Sequence, residues 1–147
     1  MEHYTTKMSL NTTPTNLFNA LTNAIPLWWT ELFEGSAARP GDRFTIRFGE
    51  HIFKTMQVEE LSVGAKVVWQ VTDSLIALPG LHNQKEWVGT TIIWEIVSAE
   101  HHTELILIHK GLSPEVECYS ICAEGWNQFL GSLKQYVETG KGNPYKE

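Results

Sequence analysis

His109 is the side chain whose type best suits acid–base work. It stands near the end of an apolar run, Leu105-Ile106-Leu107-Ile108-His109-Lys110-Gly111. An imidazole titrates near neutrality, so there it would serve as a general acid or base, or as a polar anchor on a cavity wall. The plainer reading is a half-buried histidine satisfied by a neighbour. Glu95, in the adjoining strand segment, pairs with it only if the strand register allows, and no further triad member can be named. The other carboxylates are scattered. Glu59 and Glu60 read as a solvated strand end, and Glu31 and Glu34 as surface beside a loop. GxxxxGK, GxGxxG, GxSxG and HExxH patterns are absent from the sequence. No catalytic residue and no cofactor is therefore expected.

Cys118 and Cys122 are the two cysteines, four residues apart. On a helix they share a face, where a side-by-side pair is poorly placed for a disulfide. A metal site needs two more ligands, and His101, His102 and His109 belong to another segment. The pair reads as two small buried apolar side chains in a reducing cytoplasm, with no metal.

Aromatic residues carry the other signal. There are six Trp, six Phe and four Tyr. Trp28, Trp29, Trp69, Trp87, Trp94 and Trp126 are spread over nearly every segment. A buried indole usually needs a partner for its N–H, so six of them point to a broad core or to a lined pocket. For any single Trp, core packing is the simpler account. Gly125 strengthens the pocket alternative. A glycine in mid-helix costs about 1 kcal/mol relative to alanine, which suggests a close approach or a bend there.

The elements that must position these residues follow from pattern. Residues 4–10 form a short first strand. Thr13 is suited to cap a helix and Pro14 to open it, with Leu17, Phe18, Leu21 and Ile25 at helical spacing. Pro26 ends that helix, and 27–30 make a turn or second short helix. Residues 35–41 read as a loop. Segments 43–48, 52–61, 66–73, 88–97 and 103–110 alternate as antiparallel strands joined by short turns. Residues 74–87 form a connection unusually apolar for a loop, either folded onto the core or acting as a flap over a cavity. Residues 117–139 form a long amphipathic helix with Cys118, Cys122, Gly125, Trp126, Phe129, Leu133, Tyr136 and Val137 on one face, stopped by Gly140. Segregated strands and helices make the class α+β.

The 147 residues suit a single domain, 1–147, whose core needs no metal or disulfide staple. Eleven basic against seventeen acidic residues leave a net charge of −6, which argues against nucleic-acid binding. No apolar run reaches the ~18 residues of a membrane span, and no signal peptide is read, so a cytoplasmic location is expected.

Several short stretches resemble START-like proteins: Pro26-Leu27-Trp28-Trp29-Thr30, Gly41-Asp42-Arg43-Phe44, Val67-Val68-Trp69, Glu86-Trp87-Val88-Gly89-Thr90 and Ile108-His109-Lys110-Gly111-Leu112. The ending from Glu124-Gly125-Trp126 through Phe129–Tyr136 to Glu138-Thr139-Gly140-Lys141-Gly142 is the most specific. Together they resemble the bacterial branch named after the activator of the ninety-kilodalton heat-shock chaperone's ATPase. The resemblance implies a helix-grip fold: a curved six-stranded antiparallel sheet, two short helices, and a long C-terminal helix over a deep cavity. Family members bind lipids, sterols, polyketides or plant hormones there, and some act as cyclases.

The leading expectation is binding of a small hydrophobic or amphipathic molecule. Trp28, Trp29, Trp69, Tyr119, Trp126 and Phe129 would form walls. Phe48, Met56, Leu78 and Trp87 complete the expected set, and His109 would orient a polar group. The alternatives are a chaperone-associated interaction module, and an enzyme using His109 as acid or base. The aromatic content also allows a homodimer.

Overall fold

Period-two apolar alternation between glycine-containing turns makes strands. In the computed structural model, which describes residues 3–79, 81–82 and 84–146, those strands pair antiparallel throughout one sheet. They are β1 (Tyr4–Leu10), β2 (Phe33–Gly35), β3 (Arg43–Arg47), β4 (Ile52–Ser62), β5 (Lys66–Ile76), β6 (Thr91–Ala99) and β7 (His102–Lys110). Their order across the sheet is β1-β7-β6-β5-β4-β3-β2. The helices are α1 (Pro14–Asn23) and α2 (Tyr119–Thr139). This is an α+β fold with an antiparallel sheet and a C-terminal helix.

The expected six strands become seven. The addition is β2, whose three residues are too few to display an alternation. Gly35 ends it at φ +98°, and a Cβ there would lie 2.3 Å from the Arg43 carbonyl oxygen. Only glycine lets β2 approach β3 so closely. The expected second short helix is a 3-10 turn over Ile25–Leu27, which carries Pro26 and leads into Trp28 and Trp29. α1 starts as its sequence requires, with the Thr13 side chain accepting the Asn16 N–H at 3.1 Å and Pro14 in the first turn. α2 ends on Gly140 in the left-handed region, φ +87°.

Two irregularities in the β4–β5 ladder set which side chains face inward. Register shifts fall between Thr55 and Met56 and between Val58 and Glu60. Along β5, Val67, Trp69 and Val71 are buried, then Thr72 and Asp73 are both exposed, and Ser74 and Ile76 are buried. The extra residue therefore switches the inward face from odd to even positions. Without it Ile76 would face solvent.

The C-terminal segment closes the structure against the tryptophan turn. Ser132 Oγ donates to the Trp28 carbonyl at 2.6 Å and accepts the Asn143 N–H at 2.7 Å. A Cβ on Gly142 would meet the Leu27 carbonyl oxygen at 2.5 Å. Thr30 then bridges to Tyr145. Two of the short stretches that carried the resemblance, around Trp28-Trp29 and around Gly142, thus touch each other. Their residue types are set by packing.

The space between α2 and the sheet is largely filled. Trp28, Trp69, Trp94 and Trp126 are essentially fully buried, and all six indoles connect ring to ring. The deep cavity that the resemblance implies is replaced, over most of this volume, by the protein's own indoles. The remaining hollow lies at one end of them.

Candidate ligand-binding site

That hollow has a volume of about 180 Å³ and is bounded, among the described residues, by six segments of the chain. α2 contributes Ile121, Cys122, Gly125, Trp126 and Phe129 from successive turns of one face. β4 and β5 contribute Ile52, Lys54 and Ile76. Trp29 and Phe48 come from the turns after α1 and β3, and Leu78 and Trp87 from the connection after β5. The walls are aromatic on three sides. Trp87 stacks on Trp126 at 5.8 Å and 16°, Trp29 packs on Trp126 at 5.3 Å, and Phe48 packs on Phe129 at 5.3 Å.

Six of the residues expected from sequence meet here: Trp29, Phe48, Leu78, Trp87, Trp126 and Phe129. Five do not line the hollow. Trp28, Met56 and Trp69 lie behind it in the fully buried core. Tyr119 packs instead against Tyr4, with ring centres 6.5 Å apart. His109 lies behind Trp87 and Trp126, 4.4 Å and 5.9 Å from them between ring centres. Within the 74–87 connection, Gly80 and Asn83 lie outside the described residues.

His109 is fully buried, and both its ring nitrogens are used internally. Trp126 Nε1 donates to Nδ1 at 3.1 Å. Nε2 lies 2.9 Å from Thr90 Oγ1, whose own hydroxyl donates to the Trp87 carbonyl at 2.6 Å. The bond pattern therefore assigns the Nε2–H tautomer of a neutral imidazole. Burial, reinforced by the charges of Lys54 and His3, lowers its pKa to about 3. It is a strut that fixes two of the pocket's indoles. Its cross-strand partner is Ile92, whereas Glu95 stands opposite Ile106, so the Glu95–His109 pair does not form. Glu31, Glu34, Glu59 and Glu60 are exposed, as their sequence positions suggest.

Glu86 and Trp87 hold the start of α2. The Glu86 carboxylate accepts the N–H groups of Glu117 and Cys118 at 3.0 and 3.1 Å, satisfying donors that a helix start leaves open. Trp87 Nε1 donates to Cys122 Sγ at 3.1 Å. The Cys118 and Cys122 sulfurs are 2.7 Å apart and share a hydrogen bond, both being free thiols. That bond pushes the Cys118 thiol up and holds Cys122 down, helped by the Trp87 N–H and Lys54. Among the described residues, no three metal-ligating side chains converge.

Sequence reasoning missed Lys54. It follows Ile52 and precedes Met56 by two residues each, so the alternation that turns those inward turns Lys54 inward as well. Its ammonium lies 4.3 Å from the centre of the Trp87 ring and 5.0 Å from that of Phe48. Desolvation lowers its pKa. Gly125 was expected to mark a close approach or a bend; a Cβ built there meets nothing within 4 Å, so no close approach accounts for it. Its missing side chain leaves the hollow open.

The model of the family described as Activator of Hsp90 ATPase homolog 1-like protein matches residues 11–138. Among solved structures, the Aha1 dimer from Colwellia psychrerythraea is similar at 26% identity, with 97% of this chain and 100% of that one covered and a TM-score of 0.78. A protein from Mesorhizobium loti is similar at 18% identity over 91% and 95% of the two chains, with a TM-score of 0.74. Another from Staphylococcus saprophyticus has 18% identity over 97% and 96%, with a TM-score of 0.72. No curated protein matches the chain. No helix among the described residues is long and apolar enough to cross a membrane.

Proposed function

The chain belongs to the Activator of Hsp90 ATPase homolog 1-like family, and from that membership we propose that it binds a small, mainly apolar molecule between α2 and the sheet. The observation that supports this most is the hollow walled by Trp29, Phe48, Trp87, Trp126 and Phe129. An apolar guest there would gain ~25 cal/mol per Å² removed from water, less the cost of ordering. Size narrows the class. An apolar cavity of about 150 Å³ takes up benzene, so a hollow of about 180 Å³ suits one ring system or a short chain. A whole sterol would extend past Ile121, which is 46% exposed. The connection carrying Leu78 and Trp87 would cover the guest.

Titrating the protein with one- and two-ring aromatics, short fatty acids and sterols, while following tryptophan fluorescence, tests this. The expected result is quenching or a shift with the compact ligands, and slower alkylation of Cys122 in their presence. No change with any of them would overturn the proposal.

A second reading is favoured by the dimeric Aha1 homologue, which this chain matches over its full length. In that reading the chain pairs with itself and acts on a chaperone. Sedimentation should then give twice the monomer mass, and added protein should raise a chaperone's ATP hydrolysis. A monomer without effect on hydrolysis would reject it.

A further inference from the structure

Among the described residues that line the hollow, Lys54 is the one charged side chain. Its ammonium rests against the faces of Trp87 and Phe48 at 4.3 and 5.0 Å. It takes part in no ion pair among the described residues. The other lining groups are hydrocarbon or aromatic, apart from the Cys122 thiol, which already accepts the Trp87 N–H. The Cys122 and Cys118 thiols lie close enough to interact with its charge, but a neutral thiol brings no counter-charge. A cation held between ring faces and neutral thiols is under-compensated, because ring quadrupoles replace only part of its hydration. Burial lowers its pKa, which is the same cost read from the proton's side.

Resting on the binding reading above, we propose that the ligand is a monocarboxylic acid whose carboxylate pairs with Lys54 while its aryl or short alkyl body lies between Trp126, Trp87 and Phe129. The hydrocarbon lining favours the body, and the ammonium supplies the one anchor. A carboxylate brings one negative charge to one positive charge. An aryl phosphate would bring a second charge into apolar walls with nothing to meet it. A neutral amide of the same shape would accept a hydrogen bond from the ammonium through its carbonyl but bring no charge to balance it, and an amine would add a like charge beside it.

The test uses a panel of one- and two-ring aryl acids, each matched with its primary amide, its amine and the aryl phosphate of the same ring system. Binding is measured by calorimetry on wild type, Lys54→Met and Lys54→Arg. In wild type the best acid should bind at least about tenfold tighter than its amide. The acid-over-amide preference should persist in K54R and shrink to roughly twofold or less in K54M. K54M should fold and melt no lower than wild type, since it removes a buried charge. Equal binding of acid and amide to wild type, an acid preference that survives in K54M, or tighter binding of the phosphate would overturn the Lys54 assignment and leave the pocket reading standing. No binding of any member to wild type at about 1 mM would overturn both.

Discussion

Lowering the pH from 6.5 toward 3 should cost the fold stability through His109 alone, on the order of 1 kcal/mol per pH unit at most. The sign follows from where the proton goes. In the unfolded chain the imidazole titrates near 6.5, whereas burial holds the folded value at about 3. Between those limits the unfolded chain carries a proton that the folded chain does not, so stability rises with pH across that window and is lost as pH falls. Above 6.5 this contribution is flat. Protonation would also place a cation among groups that oppose it: Trp126 Nε1 already donates to Nδ1, and Lys54 and His3 are the charges that depress it. His109→Gln removes the titration and keeps an acceptor and a donor. The variant should lose about 1–3 kcal/mol at pH 7 and show a shallower fall in stability between pH 6.5 and 4 than wild type. Urea unfolding across that range measures both. Parallel pH profiles would refute the argument. So would a His109 ring resonance that titrates near 6.5 in the folded protein, an NMR observation that does not depend on the variant.

The same bonds explain why a histidine that resembles an acid–base catalyst in sequence is a strut in the fold. In an apolar run, a lone polar residue is conspicuous whether it serves chemistry or packing. What separates the two is the partner set, and Thr90 and Trp126 come from 19 and 17 residues away. The α+β class, α1 with its Thr13 cap, α2 and most strands were legible because each rests on local periodicity or capping chemistry. β2 was not, because three residues carry no period. The inward turn of Ile76 was not, because it depends on a bulge. Lys54 was legible and was passed over: its parity matches Ile52 and Met56, but a lysine in an alternating strand is ordinarily taken as a break in the inner face. The distinction between core and pocket indoles was not readable at all. Trp28 and Trp29 are adjacent in sequence, yet Trp29 reaches the hollow while Trp28 lies in the core with its N–H donating to the Ala20 carbonyl at 2.8 Å.

Gly125→Leu should abolish binding in the hollow, a loss on the order of a hundredfold or more, while leaving the fold intact. Gly125 faces the hollow from α2 between Cys122 and Phe129, and a Cβ there meets no atom within 4 Å. A leucine side chain would therefore project into open space already walled by Trp29, Trp87 and Trp126, occupying the volume a guest needs. Its effect on the helix runs the other way. Replacing a mid-helix glycine by a strong helix former contributes about 0.5–1 kcal/mol of stability, and burying the isobutyl group adds to it. The variant thus separates the hollow from the fold, which truncating Trp126 would not do, since that indole also satisfies His109. The expected result is a higher melting temperature together with no fluorescence response to ligands that quench wild type. If Gly125→Leu binds them as wild type does, the guest lies elsewhere and the hollow is only an imperfection of packing. If Gly125→Leu melts lower, the space before Gly125 is not open in solution, and the glycine answers to a close approach after all.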